Sequence, residues 1–245
     1  MASPHELRSR IKQFFAFSTQ EVWGLVVAIL FTAFIFSFRD WGVDKFDLGI
    51  GLGHLIMMIL IAGFSFFFRI ACQKIYGLSQ GYLVNFKIWW TGLFVMLAIG
   101  FVSVGNIPLI LIGGFVASMM VKQRLGEFRY GFDFAQNSVI GLWGVWGNLI
   151  AATLFGIGWM AFPQSYVFGK GVTLNLIMAA CSLIPLPQLD GLSIFWGSRL
   201  NWVMGILTVA VAAILLMSRS KPGLIIAIAG ATAAGFIYIF TGSEK

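Results

Sequence analysis

Residues 182–191 read Ser-Leu-Ile-Pro-Leu-Pro-Gln-Leu-Asp-Gly and place one carboxylate, Asp190, at the end of an apolar run. A charge inside a membrane-embedded segment is costly, so such a residue usually has a partner or a function. The prolines Pro185 and Pro187 interrupt a helix at this point. The segment therefore indicates where the helical chain breaks and where a functional site should be sought.

The composition identifies the class of protein. Of the 245 residues, 59% are hydrophobic and 10% are charged, and the mean hydropathy is +0.92. These values exclude a soluble globular domain and predict an all-α polytopic membrane protein with about 6 to 8 transmembrane helices. Stretches long enough to cross a bilayer lie at 21–38, 48–68, 86–104, 138–161, 200–217 and 223–240. Two shorter stretches lie at 107–121 and 172–187, and the second crosses if its Pro-rich end continues unwound under a cover of protein.

The chain divides into a basic tail, residues 1–17, and a single transmembrane domain, residues 18–245. Ser18 and Glu21 have the spacing of a capping box, which predicts the start of the first helix. Most Lys and Arg residues fall on the side of the amino terminus, which predicts a cytoplasmic tail in the plasma membrane. Residues 86–121 either cross twice or form a re-entrant hairpin, and both leave this orientation unchanged.

The net charge of +7 is explained by this topology and by attraction to anionic lipid headgroups. It therefore gives no reason to expect a nucleic-acid partner. The partners that the sequence predicts are the lipid bilayer and other membrane proteins.

The series Pro185, Leu189, Asp190 and Gly191 resembles the Asn-x-x-Pro-x-x-x-Leu-Asp-Gly signature of the site-2 protease family of intramembrane zinc metalloproteases, with Ser182 in place of the Asn. Weaker similarities to archaeal members follow the family order at Tyr76-Gly77, 86–93, 126–129 and Gly144 with Asn148. The resemblance implies a site-2-protease-like core over about residues 48–195, with Asp190 at the position of a zinc ligand.

The rest of the family's zinc site is missing. Its His-Glu-x-x-His begins twelve residues before the Gly that matches Gly77, and here those positions hold Ser65, Phe66 and Arg69. Serine is a poor zinc ligand, phenylalanine cannot accept a proton, and arginine carries a permanent positive charge. The resemblance therefore implies no bound zinc and no other cofactor.

In the family, the positions of Arg69 and Asp190 face the same metal, so we expect the two side chains to form an ion pair in its place. The alternative is that Arg69 marks the inner end of its helix and extends to lipid phosphates.

Two classes of function follow. One is a non-catalytic pseudoprotease that binds a partner transmembrane segment or serves as a subunit of a membrane complex. The alternative is an active intramembrane metalloprotease with non-standard ligands, or a small transporter. The sequence favours the first, because apart from Arg69 and Asp190 it predicts no charges inside the spans and no catalytic residue.

Overall fold

The computed structural model describes residues 4–42, 46–120, 133–220 and 222–230, and most of these are helical. The elements are α1 (Pro4–Phe14), α2 (Thr19–Ser37), α3 (Leu48–Gln80), β1 (Tyr82–Ile88), α4 (Trp90–Val102), β2 (Gly113–Met119), α5 (Phe134–Ala161), α6 (Tyr166–Ser182), α7 (Asp190–Gly197) and α8 (Arg199–Met217). Residues 222–230 are also helical.

Within the described residues, four helices are long and apolar enough to cross a membrane: α2, α3, α5 and α8. This confirms a mostly helical membrane protein. Helix α6 is shorter than such a span, and part of the predicted span at 223–240 lies outside the described residues. The figure of six to eight crossings therefore stays a prediction.

Side chains near the helix ends account for where the long helices begin. The predicted capping box is present at α2, where Ser18 and Glu21 exchange hydrogen bonds with each other's backbone N–H. Asp47 caps α3 by accepting from the backbone N–H groups of residues 49 and 50. Gly81 ends α3 at φ 86°, in the left-handed region that glycine adopts without strain.

The segment between α3 and the undescribed residues 121–132 is a hairpin and not a pair of crossing helices. Strands β1 and β2 are antiparallel and pair from Tyr82 with Met119 to Ile88 with Gly113. The segment therefore returns to the level at which it began. Of the apolar stretch at 107–121, the described residues 107–120 contain an extended return and strand β2, which agrees with the re-entrant alternative and not with a second helical crossing.

Helix α4, which joins the two strands, packs along α2. The rings of Phe34 and Phe38 lie 5.9 Å and 5.4 Å from that of Phe101. Asn106, just beyond the end of α4, accepts through its amide oxygen a hydrogen bond of 2.5 Å from Arg39, which lies just beyond the end of α2. The tip of the hairpin is thus held at the carboxyl-terminal end of α2.

Helix α5 lies at the centre of the fold and packs against α3, α6, α7 and α8. In its most apolar stretch of 18 residues, 56% of α5 is buried inside the protein, whereas only 17% of the corresponding stretch of α8 is buried. In a bilayer this difference makes α5 the core helix and α8 a helix that faces lipid.

A second buried ion pair joins α2 to α3. Lys74 Nζ lies 3.0 Å from Glu21 Oε1, and both side chains are at most 3% exposed. Lys74 lies in the last two turns of α3, which continues to Gln80. The pairing explains how both charges are tolerated within the protein.

We expect Glu21→Ala to destabilise the protein by about 3–5 kcal/mol, because it leaves the ammonium of Lys74 buried without its counter-ion. The matched control is Ser18→Ala, which removes only the cap and should cost about 1 kcal/mol. Unfolding of the purified chain in detergent micelles measures both. Equal losses in the two variants would contradict a stabilising role for the pair.

Candidate functional site

The segment that breaks the helical chain brings Asp190 into the protein interior. Residues 183–189 run without regular structure between α6 and α7, and Gln188 adopts φ 66°. Asp190 is then the first residue of α7 and is 1% exposed. The predicted unwound end of the 172–187 stretch is therefore present, and it is what carries the carboxylate inward.

Three donors surround the Asp190 carboxylate. Arg69 Nη2 donates to Oδ2 over 2.5 Å, and Gln73 Nε2 donates to the same oxygen over 2.7 Å. The backbone N–H of Phe115 in β2 donates to Oδ1 over 3.0 Å. Both carboxylate oxygens are thus engaged by protein groups, as a buried charge requires.

Arg69 is 6% exposed and directs its guanidinium to Asp190, not towards a helix end. Gln73 lies one turn further along α3, so the two donors share a helix face. The sequence analysis missed Gln73 as a partner. Its spacing of four residues from Arg69 was the available signal.

Ser65 and Phe66 lie one turn before Arg69 and are both buried. Ser65 Oγ donates to the carbonyl of Ile61 over 2.8 Å and accepts from Asn175 Nδ2 over 2.8 Å. Phe66 belongs to the main hydrophobic core. Both side chains therefore serve packing and the hydrogen bonding of helices α3 and α6.

Helix α5 approaches α3 closely at the glycines of its Gly-x-x-x-Asn stretch. A Cβ on Gly144 would lie 2.3 Å from Gln73 Nε2, so only glycine leaves room for the amide that binds Asp190. Asn148 lies one turn further on and is fully buried. Neither polar atom of its side chain has a hydrogen-bond partner among the described residues, an arrangement that is uncommon in folded proteins.

The remaining positions of the signature shape the turn into α7. Ser182 Oγ donates to the carbonyl of Ala179 over 2.8 Å, Leu189 is buried in the core, and Pro185 is exposed. A Cβ on Gly191 would lie 2.4 Å from the carbonyl oxygen of Ile184. Gly191 thus allows the start of α7 to fold back on the unwound segment.

Strand β2 runs directly beside Asp190. A Cβ on Gly114 would lie 2.5 Å from Asp190 Oδ1 and 2.9 Å from the carbonyl oxygen of Gln188. Glycine at this position is therefore what lets the strand approach closely enough for the N–H of Phe115 to reach the carboxylate.

The residues present do not fit a zinc ion. Both oxygens of Asp190 accept hydrogen bonds, Ser65 Oγ is engaged elsewhere, and the permanent charge of Arg69 repels a cation. Among the described residues there is no group of three or more His, Cys, Asp or Glu side chains that could hold a metal ion. The cavity beside Arg69, lined in part by Phe66, Met178 and Ser182, has a volume of about 10 Å³, room for roughly one water molecule.

The fold and the site together define a polytopic membrane protein with a buried Arg–Asp centre between a helix, an unwound segment and a β-hairpin. The chain is 24% identical over 194 residues to a protein of Methanocaldococcus jannaschii named "Putative zinc metalloprotease MJ0611". The match covers 78% of this chain and 91% of that protein. No family model matches the chain, and no solved structure does. This similarity supports an intramembrane-protease-like membrane protein.

We expect Gly114→Ala to destabilise the protein by about 1–3 kcal/mol, because the added methyl group displaces β2 from Asp190. Gly53→Ala is the matched control, since a Cβ there meets nothing within 4 Å. That control should be neutral or stabilising by up to about 1 kcal/mol. Thermal unfolding in micelles compares the two, and an unchanged midpoint for Gly114→Ala would contradict the close approach.

Proposed function

We propose that the protein is a non-catalytic, site-2-protease-like membrane protein, which binds a partner transmembrane segment or acts as a subunit of a membrane complex. The observation that carries this proposal is the engagement of Asp190 by Arg69, Gln73 and the Phe115 N–H. A carboxylate held in this way has both of its oxygens occupied by protein donors, which opposes a role as a metal ligand. We further propose that the chain binds no zinc.

The resemblance to the protease signature supports the shared scaffold but not the reaction. Hydrolysis by a zinc enzyme needs a metal-bound water and a base beside it. At the base position this chain has Phe66, which is 1% exposed and packed in the core. The runner-up function, an active metalloprotease with non-standard ligands, is favoured by the name of the relative and opposed by this set of side chains.

The proposal includes the orientation of the chain and the place of its amino-terminal tail. In the proposed orientation, the amino terminus is cytoplasmic and the protein lies in the plasma membrane. The tail contains α1, and Arg10 of this helix donates to the carbonyl of Leu78 at the end of α3 over 2.9 Å. The tail is thereby attached to the same helix that supplies Arg69.

The metal content of the purified chain tests the absence of zinc. After expression in zinc-supplemented medium, we expect far less than one zinc per chain by elemental analysis, and no cleavage of single-span test peptides. The matched variant carries Ser65→His, Phe66→Glu and Arg69→His, which restores the family motif beside Asp190. We expect this variant to gain zinc that is lost again with Asp190→Asn. Stoichiometric zinc in the native chain that disappears with Asp190→Ala would overturn the non-catalytic proposal.

A double-mutant cycle tests the ion pair itself. We expect Arg69→Leu or Asp190→Leu alone to cost about 3–5 kcal/mol of unfolding free energy, since each leaves an uncompensated buried charge. The double variant should cost less than the sum of the two, because neither charge then remains. Purely additive losses, measured by denaturation in micelles, would show that the two side chains act independently.

A further inference from the structure

A cleft of about 180 Å³ opens between the ends of α5 and α8, and Asp190 is not among the residues that line it. Its lining is mostly apolar and includes Trp159, Met160, Leu215 and Leu224. Two candidate spans end here, so in a bilayer the cleft lies at the level of the lipid headgroups. A cavity of roughly 150 Å³ already holds a benzene-sized molecule, so this cleft accommodates several methylene groups.

Among the residues that the structure describes, Arg219 is the cation at the mouth of this cleft. The guanidinium of Arg219 lies 4.1 Å from the centre of the Trp159 ring, in a cation–π contact. The structure places no carboxylate within ion-pair distance of Arg219 among the described residues. Its charge is therefore available to an anionic group from outside the described chain.

The backbone at this position is held in an uncommon conformation. Arg219 has φ 50°, in the left-handed region that residues other than glycine seldom adopt. The turn around it is fixed by its neighbours, since Ser218 Oγ lies 2.9 Å from Ser220 Oγ and Ser220 Oγ accepts from the N–H of Gly223. An arginine that combines this backbone conformation with a contact to an aromatic ring points to a positioned group rather than a loose surface charge.

From the cavity, the cation and the turn, we infer that this cleft binds one anionic phospholipid. The phosphodiester accepts from the Arg219 guanidinium, and Ser220 lines the cleft beside it. The upper part of an acyl chain lies against Leu215 and Leu224. Trp159 contributes an amphipathic ring of the kind that is enriched at membrane interfaces.

Native mass spectrometry of the full chain in detergent tests this site. Phosphatidylglycerol and phosphatidylcholine with identical acyl chains are titrated separately, so that only the headgroup charge differs. We expect one phosphatidylglycerol to bind in preference. Arg219→Gln should weaken that binding about fivefold, the effect of one interfacial cation, whereas Arg219→Lys retains most of it.

The matched control is Arg199→Gln at the opposite end of α8. Arg199 is also exposed and also lies over an aromatic ring, that of Phe195 at 5.9 Å, so it carries the same charge in a similar contact. Its replacement should leave phosphatidylglycerol binding unchanged within twofold. Equal losses in both arginine variants would overturn the inference, since the lipid would then read only the total charge.

Two further measurements separate the headgroup from the acyl chain. Leu224→Phe narrows the cleft without changing Arg219 and should reduce phosphatidylglycerol binding at least twofold. An elution volume in size-exclusion chromatography equal to that of the native chain shows that the variant is folded. Glycerol 3-phosphate, which has the head but no chains, should bind far more weakly than the lipid. Equal binding of glycerol 3-phosphate, equal binding of phosphatidylcholine, or no effect of Leu224→Phe would each overturn the proposal.

Discussion

The buried carboxylates of Glu21 and Asp190 hold the hairpin at one pair of facing residues, and the rest of the site depends on this arrangement. Phe86 and Phe115 face each other across β1 and β2, and each points its N–H outward. Glu21 accepts from Phe86 over 2.8 Å, and Asp190 accepts from Phe115 over 3.0 Å. Since an unpaired N–H inside a membrane costs several kcal/mol, the two acids stabilise this short sheet, whose edges no third strand covers in the described part of the chain.

Helix α3 supplies a cation to each of these acids. Lys74 pairs with Glu21 and Arg69 pairs with Asp190. The two cations are five residues apart, or about 140° around the helix, so they reach the hairpin from different sides. The position of the hairpin therefore depends on where α3 places Arg69 and Lys74. The same helix contains Ser65, Phe66 and Arg69, the positions that were compared with the protease motif.

Much of the helical framework follows from local sequence, whereas for residues 86–121 the sequence leaves two crossings and a re-entrant hairpin both open. Long apolar runs and caps such as Ser18 with Glu21 predict the ends of helices, because they act within a few residues. The strand β2 is an apolar run as well, and only its pairing with β1 and with Asp190 distinguishes it from a short span. Similarly, the pair of Lys74 with Glu21 joins residues 53 positions apart, so no local pattern predicts it. The Arg69–Asp190 contact was expected from a resemblance of motifs and Gln73 lies at helical spacing from Arg69, whereas the Phe115 N–H needed the fold.

The contact of Asp190 with the backbone of β2 explains why an ion pair with Arg69 occupies this position. Replacing a buried ion pair by well-packed apolar residues is often neutral or stabilising, so the charges alone do not explain the arrangement. Asp190, however, also accepts from the backbone of β2, and an apolar side chain would leave that N–H unpaired. The strand thus requires an acceptor at Asp190, and Arg69 supplies the positive charge that a buried carboxylate needs beside it. The hairpin therefore constrains Asp190, and Asp190 in turn constrains Arg69.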